Sequence, residues 1–298
     1  MEHPPARAWR DLVERALDED VGPGDVTTAL LVPAERNAEA LIEAREPLIV
    51  CGLEVAATVF RCCDARLELE PRARDGDTLA AGEPLAFVRG RARGILSAER
   101  TALNFLMRLC GVATFTRRFV DAVRGTGACI VDTRKTLPGW RVLDKYATAV
   151  GGAVNHRVGL FDGILIKDNH VALAGGVALA VKTARASAPS NLRVQVEVES
   201  EADAVAALEA GADFLLLDNC TPALLGRIAA RLEGRALLEA SGGVSIENVR
   251  AIAKSGVQRI SIGALTHSAP AADVALELTP QAGAHPDGGI DSSGGVEA

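Results

Sequence analysis

Residues 132–170 carry six cations, Arg134, Lys135, Arg141, Lys145, Arg157 and Lys167, against four Asp, with His156 and His170 among them. The chain as a whole has a net charge of −7, from 32 Lys and Arg against 39 Asp and Glu. A cationic segment in an anionic protein suits an anionic small molecule, and Arg offers a planar fork that matches carboxylate or phosphate. Glu197 and Asp218 have the opposite sign and stand at the ends of apolar runs. Two carboxylates beside cations suit a magnesium ion or the hydroxyls of a sugar. Two later turns, Ser241-Gly242-Gly243 and Ser261-Ile262-Gly263, can offer backbone N–H groups to a phosphate, although most such turns only reverse the chain. Lys167 follows the run GILI, and its cationic neighbours also fit a Schiff-base lysine. His156 and His170 have a plainer reading as core or loop histidines, which His170 fits better. Cys62, Cys63 and Cys110 read as small packing residues, Asp18 to Asp20 as a charged helix end, and Trp140 as a packing side chain.

These residues need a frame. Short apolar runs alternate with helices at ACIV (128–131), GILI (163–166), RVQVEV (193–198), FLLL (214–217), ALLEA (236–240) and RISI (259–262). Helices are expected over 201–210, stopped by Gly211, and over 246–255, with Ser245 as N-cap and Gly256 as stop. Such repetition implies parallel strands with right-handed crossovers. Six runs support an incomplete parallel α/β barrel, and polar residues follow nearly every run at the end where barrel sites form.

The first third of the chain has another grammar. A helix is expected over 8–19 (Leu12, Val13, Ala16 and Leu17 on one face), then the turn-rich VGPGDVTT. Strand alternation over 38–50 follows, then a helix over 52–63, a strand over 65–71, and turns with strands over 75–90. Two more helices are expected, one from Ser97 to Gly111 and one ending at Gly125. The fold class is therefore α/β: an N-terminal α/β sandwich domain (1–112) plus an incomplete barrel (113–270). The run 274–278 pairs back with the first domain (271–280 joining it), and 281–298, rich in Gly, Ser and Asp, reads as disordered.

Composition excludes several functions. At 48% apolar and 24% charged, the 298-residue chain can bury a large core. Net negative charge and few aromatics argue against nucleic acid. Six cysteines form no C-x-x-C pair, so structural zinc is not expected. No apolar stretch suits a bilayer span, and MEHPPARAW has no secretory pattern. The expectation is a reduced, cytoplasmic protein without nucleic-acid or membrane partners.

The segment DTRKTLPGWRVLDKYATAVGGAVNHRVGLFDGILIKDNH (132–170) strongly resembles the central signature of the quinolinate phosphoribosyltransferases. The similarity extends to EDVGPGDVTT (19–28), ERTALNFLMRLCGVAT (99–114), VEVES (196–200), LLLDN (215–219) and LEASGGVSIENVRAIAKSGV (238–257). It covers nearly the whole chain up to the Gly-rich tail. Cys110, Trp140 and Ala153 depart from the usual pattern without replacing a charge. The resemblance implies transfer of phosphoribosyl from phosphoribosyl pyrophosphate to quinolinate with decarboxylation, in de novo NAD biosynthesis, with Mg2+ required. It further implies a homodimer, sometimes assembled further, in which Arg100 reaches the partner's site.

By resemblance, Arg100, Arg134, His156, Arg157 and Lys167 serve quinolinate, Lys135 lies between the two substrates, and Thr133 is a further substrate-binding residue. Glu197 and Asp218 serve the ribose hydroxyls and the magnesium-bound pyrophosphate. Ser241, Gly242, Gly243, Ser261, Ile262 and Gly263 surround the phosphates. Lys135, Glu197 and Asp218 are the catalytic candidates. Three alternatives stand beside this reading: a paralogue associated with molybdenum transport, a Schiff-base aldolase, and an anion-binding regulatory barrel.

Overall fold

The computed structural model describes residues 3–280; the tail expected to be disordered, 281–298, lies outside them. Helix α1 (Arg10–Val21) buries Val13 and Leu17, two residues of the expected stripe. The turn-rich segment after it holds a helix that its glycines and proline conceal. This is α2 (Val26–Leu31), where the Asp25 carboxylate caps the N-terminus by accepting from the Thr28 N–H at 2.9 Å. Next come β1 (Asn37–Ala44), β2 (Leu48–Ile49), α3 (Leu53–Cys63), β3 (Glu68–Pro71), β4 (Thr78–Leu79) and β5 (Pro84–Arg91). In β1 every second residue, Ala38, Ala40, Ile42 and Ala44, is buried, the mark of a sheet with one face on the core. The strand Val274–Pro280 runs antiparallel to β1, and the sheet order is Val274–Pro280, β1, β5, β3.

The two helices expected between Ser97 and Gly125 are one. Helix α4 (Ala92–Ala122) is unbroken. Ser97 lies inside it, donating its hydroxyl to Asp25 Oδ2 at 3.0 Å, rather than capping it. Gly111 does not stop the helix. A Cβ there would stand 2.1 Å from the Pro270 carbonyl oxygen, so glycine admits the chain that returns to the first sheet. The intrinsic helix penalty of glycine, about 1 kcal/mol, is offset by that close packing. Ala98 to Ala113 pack in the first hydrophobic core, and Phe119 belongs to the second. The expected boundary at 112/113 thus falls within a helix shared by both cores.

The second core surrounds the strands β6 (Cys129–Val131), β7 (Ile164–Ile166), β8 (Val194–Val198), β9 (Phe214–Asp218), β10 (Leu237–Ser241) and β11 (Arg259–Ser261). They form one parallel sheet in the order β6, β11, β10, β9, β8, β7. A single bridge, Val131 to Val154, extends the β6 edge. That edge and β7 are not paired with each other among the described residues, which leaves the barrel incomplete. Crossovers include α5 (Arg141–Val150), α6 (Asp168–Ala174), α7 (Val177–Ser187), α8 (Glu201–Glu209), α9 (Pro222–Leu232) and α10 (Val249–Ala253). Helix α10 starts later than expected because the Asn248 side chain, at its N-cap position, accepts from the Ser245 N–H at 2.8 Å.

The strands sort their side chains by parity. Val194, Val196, Val198, Leu215, Leu217, Leu238, Ala240 and Ile260 belong to the core against the helices. The alternate positions, Gln195 and Glu197, Leu216 and Asp218, Glu239 and Ser241, Arg259 and Ser261, fall on the other face. The barrel interior is therefore largely polar.

Candidate active site

The C-terminal ends of parallel barrel strands open onto one face, and here they enclose a cavity of about 790 Å³. Its walls include Thr133, Arg134, Lys135, His156, Arg157, Lys167, Glu197, Asp218, Ser241, Gly242, Gly243, Ser261, Ile262 and Gly263. Every candidate except Arg100 therefore meets in one place. Arg100 is exposed on α4 and does not line this cavity.

The cations are arranged for an anion. Arg134 Nε is buried without a hydrogen-bond partner, a donor that an incoming carboxylate can satisfy. Arg157 donates from Nη1 to the Gly163 carbonyl at 2.9 Å. Burial, with Arg134 nearby, pushes its pKa down, so the pair gains from an anion between them. Lys167 is 53% exposed, with Nζ 3.7 Å from Glu197 Oε2. A Schiff-base lysine is activated by desolvation or by a cationic neighbour, whereas Lys167 is largely exposed and the charge beside it is the Glu197 carboxylate. Lys135 crosses Gly263, where a Cβ would stand 2.7 Å from Lys135 Cδ. Its backbone is held by the Thr266 hydroxyl, which donates to the Lys135 carbonyl at 2.8 Å.

Two cations of the 132–170 cluster are not in the mouth. Lys145 is buried, donating to Asp132 Oδ1 at 2.6 Å and to the His156 carbonyl at 3.0 Å. Arg141 bonds the Thr136 hydroxyl and the Val158 carbonyl. The fully buried Asp132 withdraws Lys145, and it also accepts from the His156 N–H at 2.7 Å and from Asn155 Nδ2 at 2.8 Å. Both residues shape the loop that carries His156 and Arg157. His170 is an exposed helix-capping residue, its Nδ1 accepting from the Lys167 N–H at 2.9 Å.

On the opposite wall, burial pushes the Glu197 carboxyl up, and Asp218 and Asp168 add to this while Lys167 opposes it. Asp218 is oriented by Asn219, whose Nδ2 donates to it at 2.7 Å. Asn219 has φ +52°, and a Cβ at Gly242 would stand 2.1 Å from its Oδ1. Gly242 and Gly243, at φ +87° and +59°, lie beyond the last ladder pair, Ser241 with Asp218. Their N–H groups are thus outside the sheet's hydrogen bonding. The other turn is less open, because the Ile262 N–H donates to the Val131 carbonyl at 3.0 Å and Ser261 is buried.

No group of three or more His, Cys, Asp or Glu that could hold a metal exists among the described residues. Glu197 and Asp218 by themselves do not make a resident cage. They fit a magnesium ion that arrives on phosphates, since Mg2+ typically takes one or two carboxylates plus substrate oxygens.

Sequence reasoning missed Glu239 and Gln195. Glu239 interrupts ALLEA two residues before Ser241, and Gln195 stands two before Glu197. The period of two was the available signal.

A cationic cleft at the mouth of a parallel barrel, faced by two carboxylates and glycine turns, defines an enzyme for a small anionic acceptor and a phosphorylated donor. The family model "Quinolinate phosphoribosyl transferase, C-terminal domain" matches residues 112–277, and the corresponding N-terminal domain matches 25–110. The chain belongs to the quinolinate phosphoribosyltransferase family. It is 46% identical over 280 residues to the nicotinate-nucleotide pyrophosphorylase [carboxylating] of Mycobacterium leprae, covering 91% of this chain and 97% of that one. Identity to the probable enzyme of that name from Bacillus subtilis is 40% over 270 residues, covering 91% and 93%. The crystal structure of NadC from Streptococcus pyogenes superposes with a TM-score of 0.91 at 36% identity, covering 94% of this chain and 99% of that one.

Proposed function

We propose that the protein transfers the phosphoribosyl group of phosphoribosyl pyrophosphate to the ring nitrogen of quinolinate. Carbon dioxide is lost, and nicotinate mononucleotide and pyrophosphate are the products, a step of de novo NAD biosynthesis. The observation that carries this reading is one cavity with Arg134, Arg157 and Lys167 on one side and Glu197 and Asp218 on the other.

Quinolinate is a pyridine with two adjacent carboxylates. Arg134, Arg157 and Lys167 hold these and set the ring nitrogen toward C1 of the ribose. The nitrogen lone pair forms the bond to C1 as the C1–O bond to pyrophosphate breaks. C1 becomes cationic in the transition state, and Glu197 and Asp218 stabilise it while holding the ribose hydroxyls. Lys135 serves the departing pyrophosphate. Glu197 and Asp218 would hold a magnesium ion arriving with the pyrophosphate, and such an ion would supply neutralisation of leaving-group charge. The alkylated ring is cationic, and its charge stabilises the carbanion left on the ring carbon when the carboxylate next to nitrogen leaves as carbon dioxide. A proton from Lys135 or water completes the product.

The working unit of this reading is a cytoplasmic homodimer, able to assemble further, in which Arg100 completes the partner's quinolinate site. No helix among the described residues is long and apolar enough to cross a membrane. The test is quinolinate-dependent pyrophosphate release with magnesium, with nicotinate as the comparison acceptor. Release with quinolinate and little with nicotinate, which lacks the second carboxylate, supports the proposal. Binding of quinolinate without release indicates a regulatory barrel or the molybdenum-associated paralogue. Borohydride trapping of a carbonyl substrate on Lys167 indicates an aldolase.

A further inference from the structure

Beneath the cavity lies a buried charged group that the proposed reaction does not use. Glu239 on β10 is fully buried. Arg259 Nε is 3.0 Å from its Oε2 and His156 Nε2 is 3.5 Å from its Oε1, yet neither carboxylate oxygen has an aligned hydrogen-bond donor. A carboxylate taken wholly out of water is expensive unless paired, so its place on the wall of the cavity calls for a reason.

His156 supplies one. Its Nδ1 accepts from the Arg157 backbone N–H at 2.7 Å and therefore carries no proton. Its Nε2 must then be the donor, and it lies 3.0 Å from Gln195 Oε1, with Glu239 just beyond. The ring is thus strung between the barrel interior and the backbone of the residue whose guanidinium faces the cavity. Both ring nitrogens are engaged by the protein, and protonating Nδ1 would break the bond to Arg157. Burial lowers the His156 pKa, and Glu239 opposes that. The groups around the ring are Glu239 on β10, Arg259 on β11, Gln195 on β8, Lys145 on α5 and Asp132 after β6, with Arg134 and Arg157 in the mouth.

We infer that Glu239 is a positioning residue for the transfer: through His156 it fixes the backbone at Arg157, and hence the guanidinium that receives quinolinate. The inference rests on the proposed function above. It assigns His156 the part of a neutral strut, Gln195 the part of its hydrogen-bonded anchor, and Glu239 the part of a buried negative charge facing Nε2 that favours the proton there and so keeps Nδ1 free to accept from Arg157. Arg259 balances the charge of Glu239 from the neighbouring strand.

Two variants separate positioning from mere stability. Glu239→Gln retains an oxygen acceptor but removes the charge. Glu239→Leu/Arg259→Leu removes the ion pair as a unit, a replacement that is often neutral for folding. Kinetics for both substrates are measured from pH 5 to 8, with NMR of 15N-labelled histidine to follow the His156 tautomer and titration. In the double variant, KM for quinolinate should rise about tenfold, short of the ~10² that a full 1 Å misplacement can cost. KM for phosphoribosyl pyrophosphate should be unchanged. In Glu239→Gln His156 should stay neutral to lower pH, because a nearby carboxylate no longer favours its charged form; in the double variant the change should be smaller, because the opposing charge of Arg259 is lost as well. The acid limb of kcat/KM for quinolinate should move down with it. Folded variants with wild-type KM and an unmoved His156 titration overturn the inference and leave the proposed function intact. A wild-type protein that releases no pyrophosphate from quinolinate overturns the functional reading, and this inference with it.

Discussion

A single methyl group at Gly242 tests how the ribose side of the site is built. The residue has φ +87°, a left-handed conformation that costs an L-residue roughly 1–2 kcal/mol. The added Cβ would stand 2.1 Å from Asn219 Oδ1 and 2.8 Å from the Asn219 backbone nitrogen. The Asn219 side chain can swing away, but only by releasing its 2.7 Å bond to Asp218. The backbone nitrogen is pinned by its 2.9 Å bond to the Ser241 carbonyl. An amide-to-carboxylate bond at an exposed residue contributes about 1 kcal/mol. Gly242→Ala should then lower stability by about 2–3 kcal/mol, or a Tm drop on the order of 3–5 °C for a chain of this size. Asp218 loses its orienting partner, and kcat/KM for phosphoribosyl pyrophosphate should fall about tenfold, the equivalent of 1.4 kcal/mol. Arg134, Arg157 and Lys167 stand apart from this turn, so quinolinate affinity by calorimetry should not change. Scanning calorimetry and steady-state kinetics at saturating quinolinate read these effects. Native kinetics toward the phosphoribosyl donor, or lost quinolinate binding with native donor kinetics, would refute the argument that Asn219 and Gly242 together aim Asp218.

Glu197→Ala and Asp218→Ala should each reduce turnover by ~10²–10³ while leaving quinolinate binding near normal, because they stabilise charge that develops only in the transition state; calorimetry showing affinity lost with turnover of bound substrate intact would reverse the assignment. Burial raises the Glu197 carboxyl, so activity that needs its carboxylate should fade, as pH drops, above the usual carboxylate range; Lys167→Met removes the opposing ammonium and should move that limb of the donor kinetics to higher pH. Arg100→Ala and Lys135→Ala, each inactive, should complement when co-expressed to about a quarter of wild-type activity, since half of random dimers are mixed and each keeps one complete site; mixed dimers as inactive as their parents would place Arg100 within its own chain. Asp132→Asn leaves Lys145 buried without its counter-charge and should cost about 3–5 kcal/mol in urea denaturation, with unchanged stability refuting the pairing.

The amino-acid order by itself determined the strand–helix repetition, since short apolar runs and glycine stops are local properties of the chain. It also determined the chemical character of the mouth, because residues that directly follow parallel strands converge on one face whatever the details of packing. Tertiary structure decided what local pattern does not encode. Gly111 reads locally as a helix stop, yet it sits inside a 31-residue helix because the chain at Pro270 passes against it. The VGPGDVTT turn hides α2, whose cap is a side chain that Ser97 also engages from α4. Lys145 and Arg134 are alike in sequence, both cations of one segment. Asp132 buries Lys145 in a pair and leaves Arg134 with an open donor in the cavity. Glu239 looks like an interruption in an apolar run until the fold sets it against His156 and Arg259. Local sequence fixes which way a side chain faces along a strand. Only the three-dimensional fold brings the partners that decide whether a charge is buried, paired or left free for a substrate.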